Sequence, residues 1–154
     1  MFFARSHLDL HNIRHSIERI GNLSDNIVHL GPVKIGLDGI LTWIPGLGGL
    51  YSAGAGVLLI VEGVRARIAP TTLMTAAVLI GIRTFVSEIP LPIADLAVDL
   101  FTAHKWSADM LAKAMDETVY VEGTRKEAEV SPEFQDLMTR IKTGKETRRV
   151  VFLG

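Results

Sequence analysis

Between Gly39 and Val61 the chain reads GILTWIPGLGGLYSAGAGVLLIV, without one charged side chain. As a continuous helix this run would extend about 34 Å, enough to cross a bilayer. Pro45-Gly46 nevertheless stands near its start, and further glycines follow at 48, 49, 54 and 56. Pro45 removes an amide donor and disfavours the α conformation at Ile44, while glycine admits positive φ. One straight helix is therefore excluded. A break facing lipid would leave backbone groups unpaired, so it must be covered by protein or lie near water.

The same interruption recurs. GLDGILTWIPGLGGL begins at Gly36 and GIRTFVSEIPLPIADL at Gly81. Each opens with glycine, an apolar residue and a charged one, Asp38 or Arg83, and each reaches Ile-Pro at the same offset. Pro90 and Pro92 break the second copy as Pro45 and Gly46 break the first. The unit reads helix, break, helix, used twice. The expected class is all-α: membrane-associated helical hairpins from this duplicated unit, with flanking amphipathic helices. Three segments follow: an amphipathic N-terminal helix in 1–34, the duplicated membrane-embedded domain in 35–118, and a charged tail with a short helix in 119–154.

Basic residues bear on topology. They lie before the first copy (Arg14, Arg19, Lys34), between the copies (Arg65, Arg67) and after the second (Lys105, Lys113). Two simple spans would carry the Arg65–Arg67 connector across the membrane, against the positive-inside tendency. Two hairpins dipping from one side leave every basic segment on the cytoplasmic face. About 11 residues before Pro45 give roughly 16 Å of helix, half a hydrocarbon core. The expectation is therefore a re-entrant turn at each Ile-Pro, with two conventional spans and a soluble helical bundle as alternatives. Asp38 and Arg83 either pair across the pseudo-symmetric interface or meet water at the membrane surface. Gly48, Ser52 and Gly56 fall at i, i+4, i+8, a small-residue face suited to close packing inside the hairpin or between copies of a homo-oligomer.

Gly36, Leu37, Asp38, Ile44, Pro45, Gly46 and Gly48, followed by Ile89, Pro90, Asp95 and Asp99, resemble the bacterial domain-of-unknown-function family forty-one-twelve, with its GLD…IPGxGD core and IP…GD…D second half. The resemblance covers roughly residues 30 to 115. It implies a small membrane-associated protein without an assigned activity. Gly49 stands where the family has its first-half Asp, and Ala94 where it has the Gly before the second-half Asp. Ion chemistry borne by the Gly-Asp pairs is weakened accordingly.

The flanks carry helical signals. Leu10, Ile13, Ile17, Ile20 and Ile27 make one apolar stripe, either packed on its own domain or lying in a membrane interface. Ser6 and Asp9 resemble a capping box. His7, His11 and His15 rise along one face with Glu18 beyond. Three ligands along one helix rarely converge on one ion without a partner element, so the column reads as a solvated face, with pH sensing or anionic lipid as alternatives; no metal is expected and these are weak candidates only. A helix from about Ala94 to Glu117 sets Asp95, Asp99, Thr102, Asp109, Lys113 and Asp116 opposite Leu96, Val98, Leu100, Phe101, Leu111 and Met115. Asp109 and Lys113 are expected to pair, and Trp106 to sit near a membrane interface. Ser131-Pro132 starts a short helix that stops at Gly144. The final KETRRVVFLG should fray unless a partner or neighbouring subunit orders it.

Several functions are disfavoured. A net charge of -1 gives no reason to expect nucleic acid. Cysteine is absent, which removes disulfides, thiolate ligands and Cys nucleophiles. PGLGGL lacks the Gly-Lys-Ser/Thr of a phosphate loop, and LYSAG has Leu50 where a nucleophile elbow needs glycine. No enzyme activity and no cofactor is expected. Hydrophobic residues at 48% with a mean hydropathy of +0.30 exceed a typical soluble domain but fall short of a polytopic membrane protein. The N-terminal segment lacks the order of a signal peptide. These features point to a non-enzymatic structural or accessory subunit of the bacterial inner membrane, facing the cytoplasm. Its partners would be the lipid bilayer and copies of itself or subunits of a larger membrane complex. An ion or small-solute pathway through Asp38, Arg83, Glu88, Asp95 and Asp99 is the first alternative, and a soluble helical adaptor the second.

Overall fold

The N-terminal stripe forms as its period dictates. In the computed structural model, which describes residues 2–25, 27–30, 33–36, 47–87 and 103–154, with side-chain surroundings over 2–22, 53–82 and 103–154, α1 spans His7–Asp25. Its start is the capping box read from the sequence. The Asp9 amide donates to Ser6 Oγ at 3.1 Å, and the Ser6 amide to Asp9 Oδ2 at 3.2 Å. Arg5 adds a second amide at 2.9 Å. These donors, Arg5 first, hold the Asp9 carboxyl below its ordinary pKa. Leu10, Ile13 and Ile17 are buried, and Ile20 packs on the same core. Ile27 departs from the stripe. It opens β1 (Ile27–Leu30), which pairs antiparallel with β2 (Val33–Gly36), Ile27 opposite Gly36. The β-branched Ile27, Val28, Val33 and Ile35 favour extended backbone there.

The apolar middle forms two helices, α2 (Leu47–Arg65) and α3 (Pro70–Ser87). Their turn is a Schellman closure. The Ile68 amide reaches Gly63 O at 3.0 Å, and the Arg67 amide reaches Val64 O at 2.9 Å. Arg67 takes the left-handed position, φ 53°, that glycine usually fills. Pro70 then stands at the first position of α3, where its missing amide costs nothing. Among the described residues, no helix is long and apolar enough to cross a membrane.

The next helix, α4, runs Ala103–Asp116 and buries His104, Ser107, Ala108, Leu111, Ala112 and Met115. It packs against α1 and α3; α2 packs against α1 and α3, so that among the described residues these four helices form a bundle. The α1 stripe is thus covered within the protein. Gly21 allows the close approach of α1 and α4, since a Cβ there would stand 2.7 Å from Ala108 Cβ. Asp109 and Lys113 do not pair with each other. Lys105 approaches Asp109 at 3.9 Å, and Lys113 approaches Glu117 at 3.7 Å. Such exposed i, i+4 pairs contribute only about 0.3–0.5 kcal/mol, so little energy separates one partner from the next.

The all-α expectation holds only as a mostly helical fold, because a second two-stranded sheet follows α4. Here β3 (Thr118–Val121) pairs in parallel with β4 (Arg149–Phe152), Tyr120 opposite Val151. A parallel pair needs a long crossover, which α5 (Arg125–Ala128) and α6 (Pro132–Lys142) supply. Thr124 and Glu127 form a reciprocal capping box on α5. The α6 helix starts at Pro132 and closes at Gly144, φ 71°, as its sequence predicts. Ser131, however, makes no side-chain cap; its hydroxyl donates to Glu133. The chain end does not need a neighbouring subunit to order it. It is held by β3 of the same chain, and Leu153 is fully buried in the core with Ile13, Leu59 and Leu111.

Candidate functional site

The bundle has two unlike sides. On α3, Met74, Val78 and Ile82 recur at one helical face, and all are exposed, Met74 at 68%. On α2, Val57 at 63% and Leu58 at 54% are exposed as well. No charged residue occurs from Pro70 to Ile82. The outer surfaces of α1 and α4 are more polar, although Leu8 and Trp106 are exposed on them. There Arg14 joins Glu18 and Asp116, and His7, His11, His15, Asp109 and Lys113 meet solvent.

Inside the hairpin, Gly56 of α2 sits under Ile80 of α3 and beside His104 of α4. An added Cβ would lie 2.3 Å from Ile80 Cγ2 and 3.7 Å from His104 Nε2. The small residue therefore serves packing within the chain at this point. His104 and Ser107 are fully buried. Ser107 Oγ is the one buried side-chain polar atom without a hydrogen-bond partner among the described residues. Neither residue stands out in the sequence, because both occupy the apolar register of α4 that Leu111 and Met115 define. Their signal was the register itself, with polar residues standing where the period demands apolar ones.

The connector end of the bundle is polar and basic. Glu62 accepts from Ser16 Oγ at 3.1 Å and from Arg65 Nη1 at 2.8 Å. Arg65 Nε also donates to the Phe2 carbonyl at 3.2 Å. Arg67 donates to the Phe152 carbonyl and lies over the Phe3 ring, 5.4 Å from its centroid. Arg149 Nη1 donates to the Arg67 carbonyl at 2.8 Å. Tyr120 donates to the Ala66 carbonyl at 2.9 Å, and burial, the leading cause, raises its phenol pKa. A shallow cleft of about 300 Å³ lies between α3 and α4, lined by Thr71, Thr72, Thr75, Lys113 and Glu117 among others. Within it Thr75 Oγ1 donates to Thr71 O at 3.0 Å, and Lys113 faces Glu117 at 3.7 Å.

The residues expected to carry function are distributed unevenly. Asp38, Pro45, Gly46, Glu88, Pro90, Pro92, Asp95 and Asp99 lie outside the described residues. Gly48 and Ser52 fall in the first turns of α2 and Arg83 in the last turns of α3, but their side-chain surroundings also lie outside them. Gly56 is placed as stated. His7, His11 and His15 are exposed on α1. Among the described residues, no three His, Cys, Asp or Glu side chains converge as a metal site.

A family model described as a domain of unknown function, DUF4112, matches residues 13–115. The chain belongs to this family. The DUF4112 match begins at Ile13 and ends at Met115, buried residues of α1 and α4, so it includes most of the N-terminal helix and ends before β3. The match thus takes in α2, α3, the β1–β2 pair and most of α1 and α4. No curated protein and no solved structure matches the chain.

Proposed function

We propose that this DUF4112 chain is a non-enzymatic, membrane-associated structural or accessory subunit whose α2–α3 hairpin meets lipid while the α1–α4 side faces water. One observation carries the reading: Val57, Leu58, Met74, Val78 and Ile82 are exposed on two neighbouring helices, with no charged residue between Pro70 and Ile82. Large exposed apolar patches mark sites of membrane or protein contact. The basic connector lies at one end of the hairpin, which supports insertion of the far end from a single side, with Arg65 and Arg67 at the headgroups. Assembly with copies of itself or with other membrane subunits would build on the same face.

The absence of cysteine makes the test direct. Single-cysteine variants Met74→Cys, Val78→Cys and Lys113→Cys are labelled with a water-soluble maleimide in isolated membranes. Positions 74 and 78 should be protected until detergent is added, and position 113 should label at once. Carbonate extraction should leave the chain in the pellet. Recovery of a detergent-free soluble monomer, with all three positions labelling equally, would overturn the proposal and favour a soluble adaptor.

A further inference from the structure

At the connector end, Phe2 and Phe3 form an edge-to-face pair, ring centroids 5.2 Å apart, yet remain 52% and 48% exposed. Arg67 lies over the Phe3 ring, and Arg149 donates to the Arg67 carbonyl. Arg67 and Arg149 give hydrogen bonds to carbonyl oxygens only, and neither meets a carboxylate within salt-bridge distance among the described residues. The neighbouring acids are engaged elsewhere. Glu62 holds Arg65 and Ser16, Asp9 caps α1, and Glu122 accepts the His7 amide at 2.8 Å. Arg67 moreover occupies a left-handed position where glycine would be the unstrained choice. A strained, charged residue kept beside exposed aromatic rings is a combination that packing alone does not require.

We propose that this end of the bundle, Phe2, Phe3, Arg67 and Arg149, is an interfacial anchor for an anionic lipid bilayer. The rings enter the headgroup boundary, and the two guanidinium groups take lipid phosphates. Guanidinium suits this role because its fork matches two phosphate oxygens and it is weakly hydrated. The inference rests on the lipid-facing reading above and deepens it, adding the class of lipid and the end of the molecule that meets the headgroups.

The test is co-flotation of the full chain, made by cell-free synthesis with vesicles of phosphatidylcholine alone or mixed with phosphatidylglycerol. The chain should partition more strongly into the mixed vesicles, and salt should weaken that preference. Arg149→Gln should reduce partition into mixed vesicles about fivefold, as loss of one basic residue near an anionic surface predicts, and should reduce partition into neutral vesicles less. Arg149→Lys should keep part of the preference, since it retains the charge but not the fork, whereas Arg149→Gln should lose it although its amide can still donate to the Arg67 carbonyl; a purely structural role would treat the two variants alike. Phe2→Ser should lower binding to both vesicle types. Circular dichroism confirms that each variant folds. Equal partition of the unaltered chain into both vesicle types overturns this proposal while leaving the lipid-facing hairpin standing. Partition into neither overturns both.

Discussion

Arg14 of α1 reaches across to Asp116 at the end of α4 with both terminal nitrogens, Nη1 to Oδ1 and Nη2 to Oδ2 at 3.1 Å, while its Nε holds Glu18 at 2.9 Å. One guanidinium thus ties the first and last helices of the bundle by a fork that lysine cannot reproduce. The Asp116 bond, followed by the Glu18 bond, raises the Arg14 pKa. The side chains are 38% and 58% exposed, so solvent screens the pair. Arg14→Lys should therefore lower unfolding stability by no more than about 1 kcal/mol. The loss should shrink in high salt, as read by urea denaturation at two ionic strengths.

Ser107 presents the reverse case. Its hydroxyl is buried without a partner among the described residues, and such a group carries a desolvation cost of about 1–3 kcal/mol. Ser107→Ala removes the hydroxyl and leaves a void smaller than a methyl group. It should stabilise the chain, by about 1 kcal/mol at the low end of that range. A drop in the unfolding midpoint would mean that Ser107 has a partner after all.

Two nearby glycines of α2 should respond in opposite ways to alanine. At Gly56 the new methyl would meet Ile80 Cγ2 at 2.3 Å, whereas at Gly54 nothing lies within 4 Å. Gly56→Ala should cost about 1–3 kcal/mol through overpacking. Gly54→Ala should be neutral or gain up to about 1 kcal/mol from helix propensity. Thermal unfolding of the two variants side by side checks the contrast.

Acid should loosen the C-terminal segment. The Glu146 carboxylate accepts from Arg148 Nε at 2.9 Å and Nη2 at 2.6 Å, and from the amides of Thr147 and Arg148 at 3.1 Å. The Arg148 side chain is the main cause that lowers its pKa from 4.5 to about 2. A depressed folded-state pKa stabilises the fold above the ordinary carboxylate range. That contribution is lost as pH falls from about 4.5 toward about 2. Glu146→Gln should flatten the stability profile across that window and leave its shape above it unchanged, as measured by chemical denaturation at stepped pH.

Leu153 makes the chain end part of the core. It is fully buried, so Leu153→Ala should cost about 2–5 kcal/mol. Hydrogen exchange should show faster amide exchange along β4 and β3 in the variant. Unchanged exchange would show that the tail contributes nothing to the bundle.

Local signals were legible in the chain itself. Ser6 and Asp9 cap α1, Ser131-Pro132 and Gly144 bound α6, and the period of Leu10, Ile13, Ile17 and Ile20 marks a buried face, because each depends on residues within a few turns of one another. The motif around Ile44-Pro45 and Ile89-Pro90 was likewise enough to indicate the family. Tertiary structure decided what those signals could not reach. It paired β4 with a strand that precedes it by α5 and α6, set Gly56 beneath Ile80, and placed His104 and Ser107 in the core. It also drew Phe3, Arg67 and Arg149 together from three distant parts of the chain. The difference is physical: a cap or a helical period is stabilised by neighbours in sequence, whereas a parallel strand partner or a buried polar side chain is selected only when remote surfaces close on each other.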